Sequence, residues 1–552
     1  MRQLLLYISI LVLSITYGAQ AQDAEIEQKR LLYFTDKADS PYSLQQPQEF
    51  LSAKAVERRQ RQNIALAQRD LPVNPSYVDG VKNKGVKVWY TSRWFNAAVV
   101  QCSDAKLAEL EALPYIKASR TLNRMAGGKS TTPNPKTNLA SQSISQIQVT
   151  ALEAEDYGRS FHQTNMLGAV ELHNNGFRGA GMTIAIFDAG FPAVNTINAF
   201  SHLFQDDKIK GTFDFVLRQE NVFGESTHGT AVLSTMGAYE PGKYIGTAYE
   251  ANYLLLRTED AATEHNIEEI NWLIAAEYAD SAGADVINSS LGYNLFDAPS
   301  RSYTYSEMDG NTTLVAKAAD IAAAVGILVV TSAGNDGNNA WRYIASPADA
   351  DSVLAVGAVD SLGTKALFSS FGPTADGQVK PDVVALGQRA YVLSTSGNVA
   401  RANGTSFSGP IIAGFVTSLW QANRNKTNYD MIRLMRQIGS QAGMPDNNIG
   451  YGIPHYSRTL TSIPKLSAKN SVLITNPVAT EPIILVLGQD WHKQPLDVQI
   501  MDATGKVIYK QRITNPAQEQ RLNLQPQLLS SGLYLCRIGA GNAAATVRFV
   551  KL

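Results

Sequence analysis

The segment TIAIFDAG, residues 183–190, indicates how the central part of the chain folds. Its first five residues are β-branched or apolar, which gives the run the length and composition of a strand buried on both faces. Asp188 comes next, and a glycine-containing turn follows it. In sheets of parallel strands, functional groups collect where the strands end. The segment therefore predicts a buried strand that delivers a carboxylate to one edge of a sheet.

Similar apolar runs recur further along the chain, and segments of helical periodicity separate them. This alternation predicts an α/β fold, a three-layer doubly wound arrangement in which helices cover both faces of a mostly parallel sheet. The predicted strands lie at 253–256, 286–288, 326–330 and 353–356, and the predicted helices include 268–282 and 313–324.

Composition excludes several classes of protein. The 552 residues are enough for two to four domains, and 44% hydrophobic with 18% charged residues is typical of globular protein. A formal net charge of −1 lacks the basic surplus of a nucleic-acid-binding protein. Cys102 and Cys536 are the only cysteines, too few for a disulfide scaffold, a zinc site or a CxxC motif. Whether these two cysteines pair stays open.

Both ends of the chain differ from its centre. Residues 1–21 have the pattern of a signal peptide, with Arg2, an apolar stretch at 4–15 and the small residues of a cleavage site at 19–21. No later segment approaches the length of a membrane span, so we expect an exported chain without a transmembrane segment once the signal is removed.

Residues 22–150 mix strand patterns with a helical pattern over 49–68, which predicts an α+β region. Within it, residues 125–149 have the Gly, Ser, Asn and Pro content of an exposed linker. The central domain is predicted at 151–462. Residues 463–552 carry short alternating strand patterns separated by turns, which predicts a small all-β sandwich.

Four short segments carry residues that could do chemistry together. Each segment alone is also typical of an ordinary turn or helix cap. Acyl transfer by a serine needs a nucleophile, a base, a carboxylate that orients the base, and donors for the oxyanion. The segments supply all four groups. They are IFDAG (186–190) with Asp188, STHGT (226–230) with His228, VVTSAGNDG (329–337) with Asn335, and NGTSFSGP (403–410) with Ser406.

Ser406 precedes an apolar, small-residue run at 411–421 that predicts a buried helix, with Pro410 near its first turn. The amino terminus of a helix favours developing negative charge, as an acyl-transfer nucleophile requires. An esterase of the α/β-hydrolase type is disfavoured, because the residues around Ser406 are not G-x-S-x-G and the order Asp, His, Ser is not the one of that class.

These blocks resemble those of the subtilisin (subtilase) family over roughly residues 155–460, including the order Asp, His, Ser. Further matching blocks lie at 285–292, 353–360, 368–373 and 380–383, whereas FSGP at 407–410 replaces the Met-Ala-x-Pro that is common in the family. The resemblance implies that Ser406 is the nucleophile and His228 the general base. It further implies that Asp188 orients the imidazole, and that the Asn335 side chain and the Ser406 N–H bind the oxyanion.

The resemblance also implies a substrate-binding surface. Ser290, Leu291 and Gly292 would pair with the substrate backbone, and Gly334 and Asp336 would lie beside the pocket for the residue before the scissile bond. An acidic Asp336 would favour a basic residue there. No metal or cofactor is expected for the chemistry, while structural calcium is left open.

The flanking regions resemble modules of secreted relatives. A signal followed by a strand-containing region resembles the layout of a subtilase with an inhibitory, fold-assisting propeptide, although residues 22–150 could instead remain attached as a structural domain. The C-terminal region resembles a type IX (Por-type) secretion sorting domain at 496–500, 502–507, 529–534 and 547–552; a generic binding module is the alternative. This resemblance implies a Bacteroidetes-type bacterium and export through the periplasm to the surface or medium.

Two hypotheses for the whole chain follow. In the first, it is a secreted serine endopeptidase whose partners are protein or peptide substrates, its own propeptide and the type IX secretion machinery. In the second, it is a catalytically inert surface binding or adhesive protein built on a peptidase-like domain. The presence of all four chemical groups favours the first.

Overall fold

The structure, a computed structural model, describes residues 27–125, 152–460 and 472–551, the last range with gaps at 475–477, 479–481, 489–490, 492–494, 518 and 541–542. The predicted signal peptide and nearly all of the predicted linker lie outside the described residues. The chain divides into two compact units, Met1–His455 and Tyr456–Leu552. The first unit contains both the N-terminal α+β region and the central α/β domain.

The N-terminal region is a four-stranded antiparallel sheet with helices beside it. Its elements are β1 (Gln28–Phe34), α1 (Ala53–Arg61), α2 (Pro75–Lys82), β2 (Lys87–Ser92), β3 (Ala97–Cys102), α3 (Asp104–Glu111) and β4 (Ile116–Met125). The strand order is β2-β3-β1-β4. Side chains of β1 and β3, among them Leu32 and Val100, belong to one apolar core.

The predicted continuous helix over 49–68 is wrong. Ser52 caps α1 by accepting a hydrogen bond from the Ala55 N–H, and the helix ends at Arg61. Asn63 has a φ of 56°, a left-handed conformation that an α-helix does not continue through. Two short 3₁₀ turns, Pro47–Glu49 and Gln68–Asp70, account for the remaining helical pattern on either side.

Charged side chains join the N-terminal region to the central domain. Asp280, which is fully buried, accepts hydrogen bonds from the guanidinium groups of Arg58, Arg59 (2.8 Å) and Arg93 (2.5 Å). Burial by itself raises the pKa of the Asp280 carboxyl, but the three guanidinium groups outweigh that effect and lower the pKa to about 2. The carboxylate therefore stays ionised at any pH well above 2, and its ion pairs hold the two regions together there.

The central domain is built on seven strands, and all of their pairings in the described residues are parallel. Its elements are α4 (Ala154–Tyr157), α5 (Phe161–Asn165), α6 (Ala169–Asn174), β5 (Thr183–Asp188), α7 (Ser201–Gln205), β6 (Ile209–Asp214), α8 (His228–Gly237), β7 (Tyr239–Glu240), β8 (Tyr244–Ile245), β9 (Asn252–Arg257), α9 (Ile267–Ala282), β10 (Val286–Ser289), α10 (Leu314–Ala324), β11 (Leu328–Ser332), β12 (Leu354–Val359), β13 (Val383–Leu386), β14 (Ala390–Leu393), β15 (Val399–Ala402), α11 (Thr405–Gln421) and α12 (Asn428–Gln437).

The sheet has the strand order β13-β12-β11-β10-β5-β9-β6. Helices α9 and α10 cover one face, where Trp272 packs edge-on against Phe187 within a continuous apolar core. Helices α8 and α11 pack against each other, and α11 lies along β10 to β13. The central strands are buried along their whole length, as expected for a sheet covered on both sides. The predicted α/β fold with helices on both faces is confirmed.

The second unit is an all-β sandwich, as predicted. It begins with α13 (Ser457–Leu460), and its two sheets have the orders β16-β17-β20 and β19-β18-β21-β22. Alternate residues of the strands, such as Val498, Ile500 and Ile538, form one apolar core. The strands are β16 (Val472–Ile474), β17 (Ile484–Leu487), β18 (Leu496–Asp502), β19 (Val507–Ile513), β20 (Glu519–Arg521), β21 (Gly532–Ala540) and β22 (Ala543–Lys551).

Cys102 and Cys536 are both buried free thiols, one in each unit. Among the helices of the described ranges, none has the length and apolar character that a membrane crossing requires.

Candidate active site

The carboxyl ends of the parallel strands lie at one edge of the central sheet, and a cleft of about 760 Å³ opens there. Strand β5 delivers Asp188 to this edge, while α8 and α11 begin there with His228 and Ser406. The structure brings all of the predicted site residues together, since each of them lines this cleft. They are Asp188, His228, Ser290, Leu291, Gly292, Gly334, Asn335, Asp336 and Ser406.

The imidazole of His228 is held by the carboxylate of Asp188. Its Nδ1 lies 2.9 Å from Oδ1 and 3.0 Å from Oδ2, and Oδ1 also accepts the Ala189 N–H at 2.8 Å. The Asp188 side chain is fully buried, whereas that of His228 is 14% exposed. Because Nδ1 carries the proton donated to the carboxylate, Nε2 is left as the acceptor on the other side of the ring.

Gly229 permits this contact. A Cβ atom at that position would lie 2.3 Å from the Gly190 carbonyl oxygen and 3.0 Å from the Asp188 Cβ atom. Real Cβ atoms do not approach other atoms as closely as the first of these distances. The first turn of α8 therefore comes close enough to the end of β5 only with glycine after the histidine.

Ser406 is the second residue of α11, which begins at Thr405 after Gly404 with a φ of 150°. Its backbone N–H belongs to the first turn, where N–H groups have no partner inside the helix. The sequence placed Pro410 near the first turn of a later helix, which is wrong: the helix starts before the serine, so Pro410 lies in its second turn.

The position of Pro410 affects the backbone of the serine. Pro410 has no N–H for the carbonyl four residues before it, which is that of Ser406. That carbonyl accepts a hydrogen bond from the Ser290 hydroxyl at 3.0 Å instead. The Ser406 Oγ in turn donates to the Ser290 carbonyl at 3.4 Å. The segment after β10 and the start of α11 are thus joined at the serine itself.

The side-chain amide of Asn335 is fixed by Thr405. Its Oδ1 accepts the Thr405 N–H at 2.8 Å and the Thr405 hydroxyl at 3.1 Å. Two donors on this oxygen settle which end of the amide is which. The Nδ2 hydrogens remain as donors, and Asn335 and Ser406 both line the cleft.

The next residue, Asp336, is half-buried and held by neighbouring amides. Asn339 donates to its Oδ1 at 2.6 Å and Asn294 to its Oδ2 at 3.4 Å. The Asp336 N–H donates to the Ser370 hydroxyl at 2.9 Å. The carboxylate is therefore positioned at the wall of the cleft before any substrate enters.

The sequence did not single out two groups of residues that the structure places at the site. Thr405 and Ser332 hold the start of α11, because the Ser332 hydroxyl donates to the Thr405 carbonyl at 2.9 Å. The loop after β9 contributes acidic residues, Glu259, Asp260 and Glu264, to the wall of the cleft. This loop follows a correctly predicted strand, and the rule that sites lie after parallel strands could have identified it.

Carboxylates of Glu259, Glu264 and Glu268 offer oxygen atoms that lie within 4.8 Å of one another. Burial, followed by repulsion from Glu259 and Glu264, raises the pKa of Glu268 well above its usual range. Carboxylate oxygens are suitable ligands for Ca²⁺. Within the described residues, this cluster is therefore the candidate position for the structural calcium ion that the sequence left open.

Three family models match the chain in sequence order. They describe a peptidase S8 propeptide domain of Bacteroidota (residues 29–141), the subtilase family (179–452) and a secretion system C-terminal sorting domain (476–552). The resemblances seen in the sequence are confirmed by these matches.

Curated relatives include subtilisin DY of Bacillus licheniformis, 32% identical over 251 residues that cover 45% of this chain and 80% of the relative. Serine protease AprX of Bacillus subtilis is 29% identical over 315 residues, covering 51% and 67%. Among solved structures, the epidermin leader peptide processing serine protease of Staphylococcus aureus has a TM-score of 0.55 at 17% identity, over 80% of this chain and 100% of that one. The last comparison concerns the fold alone.

The close approach at Gly229 can be tested by adding one methyl group. In Gly229→Ala, the new Cβ atom forces α8 away from the end of β5, and we expect a loss of about 1–3 kcal/mol in the free energy of unfolding, as for other overpacked sites. Thermal unfolding measures the effect. The matched control is Gly443→Ala in an exposed loop, where an added Cβ atom has no other atom within 4 Å. This control should change the free energy of unfolding by no more than about 0.5 kcal/mol. Equal effects of the two substitutions would show that the contact is not tight.

Proposed function

The chain belongs to the subtilase family, and we propose that its cleft hydrolyses peptide bonds through an acyl-enzyme formed at Ser406. It is a secreted serine endopeptidase that carries a propeptide and a type IX sorting domain, which directs it to the cell surface or the extracellular space. The roles of individual residues are inferred from the geometry of the cleft. No feature of the described residues favours the alternative of an inert surface protein.

The contact between Asp188 and His228 in the same cleft as Ser406 is the observation that carries the proposal. In the first step, the Ser406 hydroxyl turns from the Ser290 carbonyl toward His228 Nε2. The Oγ attacks the substrate carbonyl carbon while its proton passes to Nε2. Asp188 stabilises the imidazolium through Nδ1–H and itself stays unprotonated.

The negative charge that develops on the substrate oxygen needs donors in place beforehand. The Asn335 Nδ2 hydrogens and the Ser406 N–H would supply them, because Thr405 fixes the Asn335 amide and Ser406 lies in the first turn of α11, whose dipole also favours negative charge. When the tetrahedral intermediate collapses, His228 gives its proton to the leaving amine. Water then attacks the acyl-enzyme, with His228 again accepting the proton, and Ser406 is regenerated.

Ser290, Leu291 and Gly292 follow strand β10 and border the cleft beside the nucleophile. An extended peptide could add to this segment as a further strand, with backbone hydrogen bonds that do not depend on its sequence. Such pairing would position the scissile carbonyl between Ser406 and Asn335. In subtilisin relatives the chemistry requires no cofactor, and the residues proposed here are likewise sufficient for the reaction.

The N-terminal region contacts the same domain through the ion pairs of Asp280. We assign residues 1–21 to a signal peptide, 22–150 to the propeptide and linker, 151–462 to the peptidase domain and 463–552 to the sorting domain. Strand β4 ends at Met125, beside α9, and the cleavage that matures the enzyme would lie after it, within residues 126–150. A structural calcium ion stays a prediction, and such an ion would take no part in the reaction.

Replacement of the nucleophile tests the proposal. The purified chain should hydrolyse an unfolded protein such as casein, and Ser406→Ala should abolish turnover because no acyl-enzyme can form. Ser408→Ala is the matched control: this buried serine lies two residues along the same helix, and its hydroxyl donates to the Thr405 carbonyl. It should retain activity. Failure of the parent to cleave casein, even after limited proteolysis within residues 126–150, would overturn the proposal.

The oxyanion donor can be tested separately. Asn335→Ala removes the Nδ2 donors, and we expect kcat to fall by about 10²–10³ with little change in KM, because the interaction forms only in the transition state. That magnitude is the one measured for the corresponding amide of a subtilisin. Asn403→Ala, at another asparagine of the same cleft, should cause no comparable loss. A rise in KM with kcat unchanged would assign Asn335 to substrate binding instead.

A further inference from the structure

We propose that the cleft selects peptides that carry lysine or arginine on the acyl side of the scissile bond, with acidic side chains on both of its walls binding them. The inference rests on the proposed function, since it concerns which peptides that function acts on. It extends the expectation for Asp336 to a second wall that the sequence did not reveal.

The charge of the cleft differs from that of the chain. The whole sequence is balanced, with 48 Lys and Arg against 49 Asp and Glu. Yet among the residues that the structure describes, the lining of the cleft contains no lysine or arginine, and besides Asp188 it contains five carboxylates: Glu259, Asp260, Glu264, Asp297 and Asp336. A concave site lined by charge of one sign concentrates ligands of the opposite sign.

Strand order sets where these acids lie along a bound peptide. Ser290 to Gly292 follow β10, which lies between β11 on one side and β5 with β9 on the other. Asp336 comes after β11, whereas Glu259, Asp260 and Glu264 come after β9. Successive side chains of an extended peptide point to opposite sides. A peptide paired along Ser290 to Gly292 would therefore direct alternate side chains to the two acidic walls.

The wall after β9 has features of a site that binds a cation. Glu259 is 5% exposed, and its carboxylate accepts hydrogen bonds from Tyr293 and Thr258, which fix its position. Glu268 is 1% exposed and accepts the N–H groups of Asp260 and His265, so it anchors the loop. A lysine or arginine side chain that enters the cleft on this side meets the carboxylates of Asp260 and Glu264 in the lining, and ion pairs with carboxylates are the interactions such side chains form.

The segment in which the maturation cleavage is proposed provides a second observation. Residues 121–152 contain three basic residues, Arg124, Lys129 and Lys136, and no acidic residue. Strand β4, which leads into this segment, runs beside α9, and there Arg120 donates to the Tyr303 hydroxyl, which donates to Glu269. The first peptide that this enzyme is proposed to cleave thus has the charge that its cleft would select.

The test uses the matured enzyme and quenched fluorogenic peptides that differ at one position only. Lysine, arginine, glutamine or norleucine is placed in turn at each of the four positions on the acyl side of the scissile bond. We expect kcat/KM to be at least about tenfold higher for a basic residue at one or more of these positions, a difference of about 1.4 kcal/mol. The preference should weaken as salt rises, because partly exposed charges are screened.

Variants assign the preference to each wall. Glu264→Gln, at a half-buried position of the loop after β9, should reduce the preference for basic residues that contact this wall. Asp336→Asn should reduce the preference for basic residues that contact the wall after β11. For each variant the readout is the ratio of kcat/KM for the basic peptide to kcat/KM for the matching norleucine peptide, and this ratio should fall from about tenfold or more toward one, independently of the overall activity of the variant. Asp206→Asn, an exposed acid outside the cleft, is the control and should preserve the preference.

Each other outcome overturns the inference. Equal rates for basic and neutral peptides would refute it while leaving the proposed function intact, whereas absence of all hydrolysis would refute both. If Ca²⁺ raised the melting temperature of the parent but not of Glu264→Gln, and no preference for basic residues were seen, the cluster would be a metal site instead.

Discussion

Parallel pairing of β5 with β9 and β10 is the constraint on which the cleft depends. It places the ends of these strands at one edge, so Asp188 and Ser290 line the same cleft as Ser406 although they are distant from it in the sequence. The same edge receives the first turns of α8 and α11, which place His228 and Ser406 in the cleft. Asp188 can then be fully buried, because His228 and the Ala189 N–H satisfy its carboxylate.

Around the nucleophile, polar groups that the backbone leaves unpaired are satisfied by side chains from neighbouring strands. Pro410 removes one helical hydrogen bond, and the Ser290 hydroxyl replaces it at the Ser406 carbonyl. The Thr405 carbonyl is satisfied by Ser332, and Thr405 itself fixes Asn335. Since buried groups without partners are costly, these bonds hold the start of α11 in register with β10 and β11. The side chains that satisfy these backbone groups thus also fix the positions of Ser406 and Asn335 in the cleft.

The N-terminal region also contacts the central domain away from the cleft. Its helix α1 reaches the opposite, amino-terminal edge of the sheet, where Arg58 donates to the Ala284 carbonyl and Gln62 to the Gly326 carbonyl. The buried ion pairs of Asp280 with Arg58, Arg59 and Arg93 join α1 and the end of β2 to α9. A cleavage within residues 126–150 leaves all of these interactions in place, so release of the region requires the buried ion pairs to be exchanged for water.

The sequence predicted the architecture well where patterns are local. Apolar runs identified β5, β9, β10, β11 and β12, and glycine-flanked Asp188, His228, Asn335 and Ser406 marked the ends of elements that the structure brings together. The helix over 49–68 was too long because its periodicity continues past Asn63, whose left-handed φ depends on packing. Strand β4 was not predicted because polar residues interrupt its apolar pattern, and one of them, Arg120, contacts Tyr303 of the central domain. The acidic wall after β9 required the strand order to be known.

The central claim is that Ser406 is the nucleophile, and the most direct test is to identify which residue a fluorophosphonate labels in the active enzyme. This reagent phosphonylates a serine hydroxyl only when a base and an oxyanion site activate it. Peptide mapping by mass spectrometry should find one label per chain, on the peptide that contains Ser406, and His228→Ala should not be labelled. Labelling of another serine, or none in an enzyme that cleaves casein, would contradict the account.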